Sequence, residues 1–141
     1  MPTMRFDLPT PEADTAEFWE GTRHDKLLIK RCKDCERAHY YPRTFCPYCW
    51  STNVQWEESS GEATLYTWSV VYQNDLPPFN ERVPYVAAVV DLKEGPRMMT
   101  NIVGSNPAEL RIGMDLRVCF EPVSEDFTLP LFQVVPPPRD D

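Results

Sequence analysis

The sequence predicts a mainly β protein, with an N-terminal helix, a zinc ribbon and then a five-stranded barrel of the OB-fold type. The first observation behind this prediction is a pair of Cys-x-x-Cys turns, Cys32 to Cys35 and Cys46 to Cys49, with ten residues between them. Two such turns can bring four thiolates around one metal ion. The second observation is a series of short β-type segments after the cysteines, which predicts a small closed sheet. An SH3-like barrel or an open sandwich would give a similar pattern.

We divide the chain of 141 residues into four parts. Residues 1–30 are predicted to form a helical segment and a lead-in strand, and residues 31–58 the zinc ribbon. Residues 59–136 are predicted to form the OB-fold barrel, and residues 137–141 a disordered tail. This length favours one small domain with an attached metal-binding module.

The N-terminal helix is predicted over residues 12–24. Pro11 and the acidic residues after it suit the first turn of a helix. Gly21 is expected to end or interrupt the helix. The apolar segment over residues 27–31 then predicts a strand that leads into the first cysteine pair.

The barrel strands are predicted from alternating or Val-rich segments that end at Gly, Pro and Asn residues. A loop is expected over residues 73–83 and one helical turn over residues 106–110. The five predicted strands cover residues 61–72, 85–92, 98–103, 116–121 and 131–135.

Zinc is the ion that a shell of four cysteine sulfurs favours. A complete shell leaves no position for water or substrate, so the predicted site is structural. Iron in a rubredoxin-like site is the competing metal, and two disulfides are a further alternative. His39 is then not needed as a ligand, and we expect it to be a partly exposed residue of the ribbon hairpin.

The expected compartment is the cytoplasm. The N-terminus has no apolar core of signal-peptide length, and no apolar run approaches the roughly 20 residues that span a bilayer. We therefore expect no membrane partner, and reduced cysteines that bind metal. The chain has 14 basic and 22 acidic residues, and its net charge of −8 works against binding to nucleic acid.

Half of the basic residues lie in one stretch, residues 23–43, whose net count is +4 against −12 for the rest of the chain. One interpretation is that these cations balance the negative charge of a metal bound by four thiolates. The other is a binding patch for a phosphate-bearing ligand or an acidic partner. The basic residues are Arg23, Lys26, Lys30, Arg31, Lys33, Arg37 and Arg43.

Aromatic residues cluster in the first predicted barrel strand and the loop that follows it. Tyr66, Trp68 and Tyr72 are expected on one side of that strand, and Phe79 and Tyr85 flank the loop. They either fill the core or form an exposed surface for a partner. The helix raises the same question, because Phe18 and Trp19 must be buried against their own ribbon or against another chain.

The sequence offers little for catalysis. Neither His24 nor His39 has an evident nucleophile beside it in the sequence. Cys119 is expected on the polar face of its strand, as a tolerated strand residue and not as a nucleophile, since a catalytic cysteine needs an adjacent base.

Several segments together resemble a known family of bacterial and archaeal proteins that join a rubredoxin-like zinc ribbon to a C-terminal OB-fold and associate with acyl-CoA enzymes. The resemblance extends from Phe18 to Phe132, and the order and spacing of its segments are more specific than the cysteine pairs alone. The segments that carry it are Phe18-Trp19, LLIKRCKDC, YPRTFCPYC, EESSGEATLYTWSVV, VPYVAAVVDL and RIGMDLRV.

The resemblance implies a non-catalytic accessory subunit. The implied partner is a thiolase-like enzyme or an aldolase that cleaves steroid side-chain CoA thioesters or other acyl-CoA, with a MaoC-type hydratase as a further partner. A dimeric enzyme would give a heterotetramer with two copies of each subunit. The alternative function is a module that binds single-stranded nucleic acid, because zinc ribbons and OB-folds both serve that role.

The candidate site residues follow from these interpretations. Zn²⁺ is expected to be bound by Cys32, Cys35, Cys46 and Cys49. The candidate surface for a partner or for acyl-CoA comprises Phe18, Trp19, Arg31, Arg43, Trp68, Tyr72, Phe79 and Tyr85.

The chain departs from the family at one position in each cysteine turn. Members usually have Gly after the second cysteine of each pair, and this chain has Glu36 and Trp50 there. The position often has positive φ, which costs a residue with a side chain roughly 1 kcal/mol or more. We expect the departure to affect the geometry of the turns and not the identity of the ligands.

Overall fold

A computed structural model of the chain describes residue 10, residues 12–77 and residues 79–135. Its elements follow the predicted order of a helix, a ribbon and a barrel. The predicted tail, residues 137–141, lies outside the described residues.

Helix α1, Ala16–Arg23, is shorter than predicted. Residues 12–15 form a turn before it, in which the Thr15 amide donates to the Glu12 carbonyl over 3.1 Å. The prediction that Gly21 ends or interrupts the helix was wrong, since the helix continues past it. Gly21 instead allows a close approach, because a Cβ there would lie 2.9 Å from the Leu28 side chain.

The ribbon is a sheet of three strands in the order β2-β1-β3. They are β1, Leu28–Cys32, β2, Ala38–His39, and β3, Val54–Glu58. All pairs are antiparallel. β3 runs along the whole of β1 and returns the chain towards the barrel. The sequence pattern did not predict this strand.

His39 is buried, with 4% of its surface exposed, so the expectation of a partly exposed residue was wrong. His39 lies in β2 opposite Lys30 of β1, and its side chain is covered by the rest of the chain. Burial, together with the charges of Lys30 and Arg43, lowers the pKa of His39 and favours the neutral ring.

The remaining strands form the closed five-stranded barrel of an OB-fold, with the order β4-β5-β6-β8-β7 and β4 paired to β7. β6 and β8 are parallel, and the other pairs are antiparallel. The predicted helical turn is a 3-10 turn at Pro107–Glu109, capped by Asn106. The strands are β4, Glu62–Val71, β5, Tyr85–Leu92, β6, Arg97–Ile102, β7, Asp115–Pro122, and β8, Thr128–Val134.

A bulge in β4 changes which aromatic residues face the core. The register with β5 shifts between Leu65 and Thr67. Trp68 lies opposite the buried Ala88 and packs against the core, whereas Tyr66 is exposed. The expectation that Tyr66 and Trp68 share one side was therefore wrong, because an extra residue reverses the alternation of side chains.

Helix α1 lies between the ribbon and the barrel and joins their cores. Phe18 is completely buried and makes an edge contact with the Tyr40 ring, at a centroid distance of 5.9 Å. Trp19 contacts the Phe127 ring, next to β8, at 5.5 Å. Phe18 and Trp19 are thus buried against their own chain, which was one of the two alternatives from the sequence.

A second connection holds the link between the two sheets. The Ser59 amide donates to the Leu27 carbonyl over 2.8 Å, and the Ser59 hydroxyl donates to the Glu94 carboxylate over 2.7 Å. Burial opposes ionisation of Glu94, but hydrogen bonds from Ser60 and Ser59 hold its pKa below the usual value. The β5–β6 turn therefore fixes the start of the barrel to the end of the ribbon.

No helix in the described part of the chain combines the length and apolar character that a membrane crossing requires.

Replacing Phe18 by Ala is expected to lower the free energy of unfolding by about 3–5 kcal/mol, because the substitution leaves a cavity where helix α1, the ribbon and the barrel meet. Urea unfolding of the purified protein measures this change. Ile112→Ala is the control, because Ile112 is 74% exposed and its loss should cost less than about 0.5 kcal/mol. Equal effects of the two substitutions would refute the role given to Phe18.

Candidate metal centre and the surfaces around it

The four predicted ligands converge at one end of the ribbon. The sulfur atoms of Cys32, Cys35, Cys46 and Cys49 all lie within 4.8 Å of one another. Cys32 Sγ and Cys49 Sγ are 3.6 Å apart, as are Cys35 Sγ and Cys46 Sγ. A tetrahedral zinc site with Zn–S bonds of about 2.3 Å would place its sulfurs about 3.8 Å apart. The cysteines are thus positioned to bind a metal ion, and at 3.6 Å these pairs are not disulfides.

The two cysteine turns have the same backbone hydrogen bonds. In the first turn the Glu36 amide donates to the Cys32 carbonyl over 3.0 Å, and in the second the Trp50 amide donates to the Cys46 carbonyl over 2.9 Å. An amide also donates to the first sulfur of each turn over 3.4 Å, from Cys35 and from Tyr48. These donors point at the sulfurs and stabilise them as thiolates.

The electrostatics at Cys32 favour a thiolate. The amide hydrogen bond from Cys35 outweighs burial and lowers the pKa of the Cys32 thiol to about 7. Cys32 and Cys46 are buried, Cys35 is half-buried and Cys49 is exposed. The cluster therefore has a buried side against the sheet and an open side at Cys49.

Asp34 connects the two turns. Its carboxylate accepts hydrogen bonds from the Ser51 hydroxyl and the Asn53 side-chain amide. The Ser51 bond, followed by the Asn53 bond, lowers the pKa of Asp34. These contacts fix the positions of the two turns relative to each other beside the sulfurs.

Glu36 and Trp50 both have positive φ, at 66° and 67°. The backbone of each turn thus takes the conformation that usually carries Gly, and here a residue with a side chain adopts it. The expected consequence of the departure from Gly is strain in the turns, with the four sulfurs still converging.

Arg31, a candidate surface residue, is engaged within the ribbon. Its guanidinium makes a bidentate ion pair with the Glu57 carboxylate of β3, with N–O distances of 3.0 Å. It also donates a hydrogen bond to the Glu36 carbonyl over 2.7 Å. The Glu57 hydrogen bond raises the pKa of Arg31. This side chain connects β1, β3 and the first cysteine turn.

Arg43 belongs to a group at the outer end of the ribbon that we call the ribbon tip. Its guanidinium lies over the Phe45 ring at 6.0 Å, and Phe45 in turn stacks on Trp50. Arg37 lies over the Tyr48 ring at 4.1 Å. The ribbon tip comprises Arg37, Arg43, Phe45, Tyr48 and Trp50.

The other candidate surface residues lie on the barrel. Trp68 is half-buried, Tyr72 is exposed after β4, and the rings of Phe79 and Tyr85 are 6.0 Å apart. The Tyr85 hydroxyl accepts a hydrogen bond from Asn74 over 3.0 Å. The structure therefore distributes the eight candidates over the helix core, the ribbon and one end of the barrel.

Sequence reasoning did not select three members of the ribbon tip, Phe45, Tyr48 and Trp50, and it included Arg37 only as part of the basic stretch over residues 23–43. A signal was present, because Trp50 was already noted as a side chain at a position that usually carries Gly. The Arg37–Tyr48 pair could not be foreseen, since it depends on how the two cysteine turns fold against each other.

The other titratable candidates are not arranged for catalysis. His24 contacts Glu20 on the exposed side of α1 over 3.0 Å. Burial, with a smaller effect of Glu121, raises the pKa of the Cys119 thiol, so this cysteine is a weak nucleophile.

Two domain families match the chain in succession. Residues 19–55 match the ChsH2 rubredoxin-like zinc ribbon domain, and residues 56–121 match the ChsH2 C-terminal OB-fold domain. Together the two matches cover well over half of the chain. The chain therefore belongs to the ChsH2 family, which is also known as DUF35, and its cysteine cluster lies in the zinc ribbon domain.

Curated relatives and a solved structure agree with this assignment. A "DUF35 domain-containing scaffold protein" of Methanocaldococcus jannaschii is 36% identical over 111 residues, 77% of each chain. A "Probable enoyl-CoA hydratase alpha subunit" of Thermomonospora curvata is 32% identical over 132 residues, 94% of this chain, which spans only 41% of that protein. A chain of the structure "Ltp2-ChsH2(DUF35) aldolase" superposes with a TM-score of 0.79 and 32% identity, covering 90% of this chain and 98% of that one.

Replacing Cys46 by Ser is expected to release the metal and unfold the ribbon, because a structural metal supplies folding free energy. We expect a loss of about 3 kcal/mol or more, or a melting temperature lower by about 10 °C. Elemental analysis and thermal unfolding measure the two effects. Cys119→Ser is the control and should keep its metal, so a Cys46→Ser protein with full metal content and unchanged melting would refute the assignment.

Replacing Glu36 by Gly is expected to stabilise the protein by about 0.5–1 kcal/mol, because Gly adopts positive φ without strain. Chemical unfolding of the metal-bound protein measures the change. The matched control is Glu58→Gly, in the extended strand β3, where Gly should destabilise. Destabilisation by Glu36→Gly would show that the turn carries no such strain.

Proposed function

We propose that this member of the ChsH2 family is an accessory subunit of a hetero-oligomeric acyl-CoA enzyme. The catalytic partner is an aldolase or thiolase of the thiolase superfamily that acts on a steroid side chain or another acyl group. The observation that carries the proposal is the similarity, over nine-tenths of the chain, to a chain of the structure described as an Ltp2-ChsH2(DUF35) aldolase.

The chemistry of the described residues supports a non-catalytic role. A nucleophile or general base needs a partner within hydrogen-bond reach. Cys119 has a raised pKa, His24 is paired with Glu20 on the helix surface, and His39 is buried in the ribbon sheet. On this proposal the reacting groups belong to the partner subunit.

The descriptions of the relatives fit an accessory role. The hydratase alpha subunit of T. curvata extends well beyond the part that this chain matches. We propose that the partner subunit is the aldolase or thiolase, with a MaoC-type hydratase as a further partner. The DUF35 relative described as a scaffold protein fits an organising role.

The metal in this proposal is a structural zinc ion. Four cysteine sulfurs at near-tetrahedral spacing suit zinc, and a complete shell keeps water and substrate off the ion. Cys32, Cys35, Cys46 and Cys49 would bind the zinc ion, and the ion would hold the two cysteine turns together. Iron remains the competing ion, and an iron site would give the protein a visible absorption band.

The alternative of a single-stranded nucleic-acid module has weaker support. Such proteins combine a positive groove with stacking aromatics. The chain carries a net charge of −8, and in the barrel segment, residues 59–136, ten acidic residues outnumber five basic ones. Nucleic-acid binding is therefore an outcome that the experiment must be able to detect.

The test is affinity purification of the tagged full-length chain from its native host, with co-purifying proteins identified by mass spectrometry. We expect stoichiometric recovery of a thiolase-like enzyme, and native mass spectrometry should give two copies of each subunit. The Cys46→Ser variant is the control, because an unfolded ribbon should recover less partner. Elemental analysis of the same sample distinguishes zinc from iron.

Recovery of the chain alone, or with ribosomal or DNA-associated proteins, would refute the proposal. In the second case, titration with single-stranded RNA or DNA at several salt concentrations would show whether binding weakens steeply with salt, as phosphate contacts require.

A further inference from the structure

Trp50 combines two features that are individually unfavourable in an isolated chain. Its side chain is 74% exposed, and its backbone has φ of 67°, in the left-handed region that favours Gly. Exposure of a large aromatic ring leaves apolar surface in water, and positive φ costs backbone free energy. Neither feature contributes to binding the metal, because Cys46 and Cys49 supply the sulfurs of this turn.

The exposed ring is held in a fixed orientation. Trp50 stacks on Phe45 with ring centroids 5.4 Å apart and an interplanar angle of 6°. Phe45 precedes the ligand Cys46, so the stack is built directly on the metal-binding turn. A ring held in this way loses little conformational entropy when another molecule covers it.

Two arginines beside the stack have cationic groups without acidic partners. Arg37 lies over Tyr48 and Arg43 over Phe45, and neither forms an ion pair with any residue that the structure describes. Of the other arginines that the structure describes, four pair with acids of their own chain, Arg23, Arg31, Arg82 and Arg97, and Arg111 and Arg117 of the barrel do not. A guanidinium that lies flat on a ring keeps its N–H edge available for a carboxylate.

We propose that the ribbon tip is the docking surface for the catalytic partner subunit. Trp50 enters an apolar pocket of that subunit, and carboxylates on the rim of the pocket pair with Arg37 and Arg43. This inference rests on the proposed function and identifies the surface through which the accessory subunit binds its enzyme. Exposed Trp, Tyr and Arg side chains on and beside the cysteine turns have the composition of an interface hot spot.

The charges near the tip favour a carboxylate-bearing protein over a phosphate-bearing ligand. Arg37 directly follows the exposed Glu36, and Asp34 lies in the same cysteine turn. A polyanion such as RNA would approach these carboxylates together with the arginines. A protein surface can place single carboxylates opposite each arginine and avoid the acids.

Docking at this surface would also cover the open side of the metal cluster. Cys49, the exposed ligand, directly precedes Trp50. A subunit seated on Trp50 would therefore shield the Cys49 sulfur, so removal of the metal by EDTA should be slower in the complex than in the free chain.

The experiment compares variants of the full-length metal-bound chain for binding to the partner recovered with the wild type. Trp50→Gly is expected to weaken binding by at least about 30-fold, the loss typical of a hot-spot residue. Its metal content and melting temperature should stay near the wild-type values, because relief of positive φ offsets the lost stacking.

Two variants provide matched controls, and both should bind within about threefold of the wild type, as residues outside the hot spot do. Glu36→Gly makes the same replacement at the equivalent position of the other cysteine turn. Ile112→Ala removes a large apolar side chain of equal exposure, 74%, from the barrel.

The Arg37→Glu/Arg43→Glu double variant tests the surface without changing Trp50 or the cysteines. The double variant should weaken binding to the partner, and the remaining binding should depend little on salt. If Trp50→Gly loses its metal, the double variant becomes the test of the docking surface. If the wild type binds its enzyme and the folded variants bind equally well, this inference is wrong and the proposed function stands.

If the wild type recovers no enzyme, the proposed function itself fails. Binding of coenzyme A or a single-stranded oligonucleotide to the isolated wild type, lost in Trp50→Gly, would overturn the inference in favour of a phosphate-bearing ligand.

Discussion

The convergence of four cysteine sulfurs is the constraint on which the rest of the structure depends. The ribbon has a small core, mainly Leu27, Ile29 and Ala38, which is too little to order two adjacent turns. The sulfurs, the Asp34 hydrogen bonds and the paired backbone bonds of the two turns supply that order. Only an ordered ribbon can present Tyr40 to Phe18, so the position of the helix, and through Trp19 its contact with the barrel, follow from the metal cluster.

The features that the sequence predicted correctly depend on local spacing. The distance between the cysteine pairs predicts their convergence, and the alternation of apolar residues predicts five barrel strands whose limits lie within a few residues of those observed. Strand β3 was missed because Val54–Glu58 is short, follows polar residues and is stabilised by pairing with β1, an interaction between residues distant in sequence. The bulge near Leu65 and the burial of His39 likewise depend on partners that no local pattern specifies.

The residues of the candidate site likewise fall into those that the sequence predicts and those that it does not. The convergence of the four cysteines could be predicted from spacing alone. The candidate surface residues were chosen by residue type, and type does not distinguish a buried aromatic from an exposed one. Phe18 and Trp19 are buried, whereas Tyr72 is exposed, and Trp50, which the sequence marks only as a side chain at a position that usually carries Gly, is as exposed as Tyr72. Exposure is decided by how the helix, ribbon and barrel pack, and it becomes visible only when all three are in place.

Trp50 is where the local rules of folding are broken most clearly, and such breaks are expected at functional sites. Selection for stability alone would place Gly at this position, because Gly adopts positive φ without strain and exposes no apolar ring to water. Glu36 has the same backbone strain with a charged side chain that water solvates, so strain alone does not mark a binding residue. The combination of strain, an exposed aromatic ring and neighbouring cations without acidic partners occurs at the second turn. A partner that buries the ring would recover the free energy that the isolated chain loses by leaving this apolar surface in water.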